Sequence, residues 1–169
     1  MKRMVYMAAT LALCAVCRAQ TVQLRVGDNM YDIPSVLTQG ELKPGWKIVD
    51  VQLKDKVMHY LWGAHATQMT DDRTPVFVVT PGQGETLADY AVIRLRAKRD
   101  YRKVPKGNLR DNEYTRIEPS SFHISAYGDD GFLCQPKVSL GKGEYILVNI
   151  AQRTVGELND FSVFPFQVP

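Results

Sequence analysis

Cysteine and histidine are both scarce in this chain, with three residues of each. Two of the cysteines, Cys14 and Cys17, lie in the apolar stretch at the N-terminus. Their C-x-x-C spacing, a redox or metal pattern elsewhere, is expected to leave with that stretch. Cys134 then stands alone, and one thiol makes no intrachain disulfide. Burial of apolar surface must hold the fold, and a chain of about 150 residues can bury enough of it. No apolar run reaches the roughly 20 residues needed to span a bilayer. There is no G-x-S-x-G elbow, no H-E-x-x-H pair and no phosphate-cradling glycine loop. Gly82-Gln83-Gly84 lacks the rest of a dinucleotide fingerprint. Internal repeats and low-complexity linkers are also missing.

The N-terminal stretch reads as a signal peptide over residues 1–19. Lys2 and Arg3 form a positive start, Met4–Val16 is the apolar core, and Cys17-Arg18-Ala19 places small residues around a cleavage point before Gln20. Removal of Lys2, Arg3 and Arg18 from 21 bases leaves 18, against 18 acids. The formal charge of +3 therefore becomes zero, and a domain-wide basic footprint for nucleic acid disappears with the leader. Export to the periplasm or cell surface of a Gram-negative bacterium is the expected localisation, with no transmembrane span in the mature chain.

The remainder is written in short strands. Val22, Leu24 and Val26 alternate with Gln23 and Arg25, the period-two signal of a half-buried strand. Tyr31–Leu37, interrupted by Pro34, reads as a second strand, and Trp46–Leu53 as a third. Lys54-Asp55-Lys56 closes a hairpin into Val57–Trp62. Pro75–Thr80 is a continuous apolar run suited to burial on both faces. In Tyr90–Lys98, Ile93, Leu95 and Ala97 point one way and Arg94, Arg96 and Lys98 the other, which predicts one face on a core and one in water. Arg99–Asn112 reads as a long exposed loop. Further strands are expected at Tyr114–Glu118, Phe122–Tyr127, Phe132–Val138, Tyr145–Ile150 and Phe161–Val168. Pro165 should sit at an edge or a bulge. Gly84–Ala91 has room for one helical turn. The expected fold is all-β: a single antiparallel β-sandwich of about ten short strands over residues 20–169.

Four groups of residues bear on chemistry. His59 and His65, followed by Asp71 and Asp72, match no closed ligand spacing, so packed or hydrogen-bonded histidines are expected and no metal site. His123 should face solvent. Cys134, beside Phe132 and Leu133, reads as a buried thiol rather than half of a Cys–His pair. Asp129-Asp130-Gly131 reads as a turn rather than a calcium loop. Arg94–Arg110 carries eight bases, among them Arg94, Arg96, Lys98, Arg102 and Lys103, opposed only by Asp100. That cluster is the expected partner-binding surface for an envelope protein or an acidic polymer. Trp46, Tyr60 and Trp62 form an aromatic group. On an exposed face they would stack on sugar rings; Met58, Tyr60 and Trp62 alternating on one strand also look like a core stripe, and core is the favoured reading.

Pro136-Lys137-Val138-Ser139-Leu140-Gly141-Lys142-Gly143-Glu144-Tyr145 gives P-x-x-x-L-x-x-G-E-Y, followed later by the aromatic strand around Phe161 and Phe164. This resembles uncharacterised secreted β-sandwich domains of Gram-negative bacteria of the Bacteroidetes type, with Lys142 where a proline is usual. The resemblance implies an exported sandwich and carries no catalytic residues. The expectation is a non-catalytic binding or structural module with no cofactor. The alternatives are a carbohydrate-binding sandwich and a metal-dependent hydrolase using His and Asp.

Overall fold

The computed structural model describes residues 20–43, 47–48, 51–52, 56–105, 114–151 and 160–169. Residues 1–19, expected as a leader, and Trp46 lie outside the described residues. The strands run in chain order as β1 (Thr21–Val26), β2 (Asn29–Asp32), β3 (Val36–Leu37), β4 (Gln39–Lys43), β5 (Lys47–Ile48), β6 (Val51–Gln52), β7 (Lys56–Trp62) and β8 (Phe77–Thr80). A 3₁₀ turn at Leu87–Asp89 leads into β9 (Tyr90–Arg94), β10 (Arg96–Ala97), β11 (Tyr101–Lys103) and β12 (Tyr114–Arg116). The chain closes with β13 (Phe122–Tyr127), β14 (Gly131–Pro136), β15 (Gly143–Asn149) and β16 (Ser162–Val168).

The expected all-β, antiparallel, sandwich-like architecture holds. One sheet has the order β13-β14-β8-β1-β2 and a second β12-β9-β15-β16-β3. Their facing sides make the main core. Val22 and Leu24 of β1 and Phe77 and Val79 of β8 meet Val92, Leu147 and Phe166 from the opposite sheet. Phe166 packs edge-on to Phe77 at 5.0 Å and stacks on Tyr145 at 5.4 Å. Alternation explains the choice of face: Val22 and Leu24 go inward while Thr21 and Arg25 stay in water.

A third sheet, β10-β11-β7-β4, covers the other side of the second one. Leu61 of β7 and Val104 meet Ile93, Ile146, Val148 and Val163 in a second core. The central strands β9, β15 and β16 of the middle sheet are therefore largely buried on both faces, and Tyr90–Ile93 is buried at every position, where one wet face was expected. The predicted alternation survives, but the side opposite Ile93 packs against the first sheet rather than facing solvent. The strand then bends at Leu95, whose N–H donates to Glu144 O, and continues as β10 in the third sheet.

Other boundaries shift for local reasons. Pro34 divides the Tyr31–Leu37 segment into β2 and β3, since it cannot donate to a ladder. Strands β5 and β6 pair antiparallel with each other where one strand was expected, and β7 takes β4 rather than that segment as its neighbour. The basic loop starts as a strand, because β11 pairs with β7. Pro165 opposes Ile146 on one side; on its other side β3 pairs only with Ser162 and Val163, and residues 68–70 reach only Gln167. The missing N–H thus falls in a gap in the ladder. Gly128, at φ +62°, makes the turn between β13 and β14, a conformation glycine adopts without strain.

Candidate functional site

The outer face of the third sheet collects the residues of interest. Strand β7 alternates, and its inward residues are Leu61, buried in the second core, and His59, whose ring lies 4.9 Å from that of Phe161. Met58, Tyr60 and Trp62 therefore point outward, and Trp62 is 60% exposed. This corrects the expected core stripe: the shared face was read rightly, but it is the solvent face.

Register extends that face across four strands. Directly opposed residues of an antiparallel pair share a side. Arg96 opposes Lys103, Lys103 opposes Tyr60, and Tyr60 opposes Gln39, making one cross-strand row. The next row sets Tyr101 beside Trp62, with Lys98 across the hairpin, its N–H donating to Tyr101 O at 2.8 Å. Met58 and Glu41 form a third. Tyr60 meets Trp62 edge-on at 5.6 Å and Tyr101 at 5.7 Å. Trp62 Nε1 donates to Gln39 Oε1, and Tyr60 OH donates to Glu41 Oε2 at 3.3 Å. Tyr60 and Trp62 are thus each tied by a hydrogen bond to a side chain of β4.

Glu41, Met58, Tyr60, Trp62 and Tyr101 enclose a shallow cavity of about 120 Å³. Pockets that engulf a small molecule run to roughly 300–1,000 Å³. This one suits contact along a surface better than engulfment. Arg96 and Lys98 are exposed on the same face and Lys103 is half-buried, and among the described residues they outnumber Glu41 of that face and the exposed Asp100 in the turn between β10 and β11. The local field is positive on a chain whose expected mature charge is zero.

Two of the five predicted partner-binding bases leave this surface. Arg102 is 4% exposed because it shares the inward side with Leu61. Its Nε donates to Gly63 O at 3.1 Å, Nη2 to Trp62 O at 3.3 Å and Nη1 to Glu144 Oε2 at 3.4 Å. Glu144, 3% exposed, also accepts from the Ala66 N–H at 2.9 Å and meets His65 Nδ1 at 3.0 Å. Burial pushes the Arg102 guanidinium pKa down, and the neighbouring Glu144 works against that shift. Arg102 therefore fastens the end of β7 to the middle sheet and is unavailable to a partner. Arg94, the second, lies on the opposite side of the middle sheet, where Nη2 donates to Lys142 O at 2.5 Å and the guanidinium carbon sits 6.0 Å over the Tyr145 ring.

Among the remaining candidates, His123 is exposed on β13. It opposes Gln135, whereas the fully buried Cys134 opposes Ile124, so the imidazole and thiol occupy opposite faces. Burial pushes the Cys134 thiol up to about 12. Among the described residues, no three His, Cys, Asp or Glu side chains converge as a metal site. Lys106 and Arg110 lie outside the described residues.

Sequence reasoning missed Tyr101 and Gln39 as members of the aromatic face and missed the Arg102–Glu144 pair. Tyr101-Arg102-Lys103 is too short and too polar to display a period, so Tyr101 carried no usable signal. Gln39 and Glu144 become legible only through register. Comparison with known protein families, characterised proteins and solved structures finds no match for this chain.

Proposed function

We propose that the protein is an exported, non-catalytic binding module that holds an acidic polysaccharide of the cell envelope on the outer face of its third sheet. The observation that carries this reading is the juxtaposition of Tyr60, Trp62 and Tyr101 with Arg96, Lys98 and Lys103 on one solvent-facing surface. Aromatic rings offer flat apolar area to the faces of sugars, while cations meet carboxylate or sulfate groups. Gln39 and Glu41 supply an amide and a carboxylate for hydroxyls. A shallow cleft along a sheet suits a polymer that lies across it. The apolar leader at residues 1–19 and the likeness of Pro136–Tyr145 to secreted sandwich domains support the exported reading. Purified mature protein should begin at Gln20 by intact mass.

A panel of immobilised glycans tests the proposal. Acidic chains such as polygalacturonate should retain the protein and release it as salt rises, because screening weakens exposed charge contacts. Neutral glucans should retain it less. Equal retention of neutral and acidic chains, or of neither, would overturn the reading.

A further inference from the structure

A second cavity, of about 370 Å³, opens at the end of the main sandwich, on the far side of the middle sheet from the aromatic face. Its inner wall is buried Val92, Phe122, Pro136 and Tyr145, and the 137–141 loop forms its rim. Tyr145 OH donates to Gly141 O at 2.5 Å and ties that loop down. Two cations border the cavity. Arg94 donates to Lys142 O and lies against Gly143, where an added Cβ would sit 3.0 Å from Nε. Lys137 Nζ donates to Pro119 O at 2.5 Å. Each spends one donor on a carbonyl, and each has further donors to offer. Among the described residues, neither is in an ion pair with a carboxylate. Glu118, the acid of the adjacent turn, accepts from Ser120 instead. Thr115, Ser121 and Ser139 add hydroxyls to the lining, and Val138 stands 76% exposed at the rim.

We infer that this cavity binds a small organic acid, its carboxylate held between Arg94 and Lys137 and its apolar body laid against Val92, Phe122 and Leu140. The volume lies within the range of small-molecule pockets. A purely apolar ligand would strip water from two cations without replacing it, which is unfavourable. A bare inorganic anion would leave the apolar wall in contact with water. Only a ligand with both parts satisfies both surfaces. The site shares no residue with the aromatic face, so it stands or falls independently of the glycan reading.

Amide NMR titration of the mature chain tests this with three probes. Octanoate carries both parts, octanol only the apolar body, and inorganic phosphate only the charge. Octanoate should shift the amides of residues 121–122 and 137–141 saturably, with octanol and phosphate each at least about tenfold weaker. Lys137→Gln alters an exposed side chain and should weaken octanoate about tenfold while leaving the melting temperature in place; Arg94→Lys should weaken it less, since the charge remains. No saturable shift with octanoate would overturn the inference. So would phosphate or octanol binding as tightly as octanoate, or Lys137→Gln binding octanoate unchanged.

Discussion

Arg102 illustrates how much a single position depends on its parity. Removed from water on the inward side of β11, it is tolerated because Glu144 and two carbonyls take up its donors. Deleting one partner of such a pair strands the other charge, at a cost of about 3–5 kcal/mol. Glu144→Gln should therefore lower stability by that order in urea denaturation, with the Ala66 N–H keeping an acceptor. Replacing both residues with apolar ones of similar volume should recover much of the loss. A Glu144→Gln variant as stable as the parent would mean that the pair is idle. The pair was illegible in the sequence for a plain reason: Arg102 and Glu144 are 42 positions apart. Spacing arguments reach along one element, and this contact joins two sheets. Composition also misled, because a run of eight bases reads as a patch even where one base turns inward.

Among the elements, β7 separates what a strand's sequence reveals from what it leaves open. Period-two alternation correctly grouped Met58, Tyr60 and Trp62 and set Leu61 against them. It cannot say which side is wet, because Leu61 and Tyr60 are both acceptable core residues. The third sheet decides the matter by packing Leu61 onto Ile93 and Val148. Leu61→Ala should accordingly cost about 2–5 kcal/mol, in the range of buried leucine truncations. Trp62→Ala, one residue further, should cost less than about 1 kcal/mol, since it removes mostly exposed surface. Chemical denaturation of both variants checks the pair, and a reversal of their order would invert the orientation of the strand. Elements with a simple signal were read closely: Phe122–Tyr127 is β13 as expected, and Phe161–Val168 is β16 with one residue trimmed. Strands β5, β6 and β11 were hidden because two- and three-residue strands are too short to display a period.

Taken whole, the described residues of the molecule form three antiparallel sheets of four or five strands, beside the small β5-β6 pair, with the central strands of the middle sheet packed on both faces, stabilised by apolar cores with a lone free cysteine. That construction gives it an alkaline weakness. Cys134 is raised by burial from 9.0 to about 12, and Tyr90 and Tyr145 are also raised, burial leading in each case. A raised pKa means that the folded state holds its proton where the unfolded chain has lost it. The associated stability is complete below the unfolded pKa values and drains away as pH climbs through about 9 toward 12. Thermal melts should show no pH dependence from these groups near neutral pH and a falling midpoint above about pH 9. A midpoint that stays flat to pH 11 would contradict their burial. The middle sheet also separates two candidate surfaces, one aromatic and basic on the third sheet and one amphipathic at the end of the sandwich.

The aromatic face is the centre of the account, and calorimetric titration of the protein with oligogalacturonate tests it most directly. Saturable binding is predicted, weakened about tenfold or more by Trp62→Ala through lost ring stacking and further by Lys103→Gln through lost charge. Both variants should keep the parent fold. Undiminished affinity in the Trp62→Ala, Lys103→Gln double variant would contradict the account, as would a neutral oligosaccharide of equal length binding equally well.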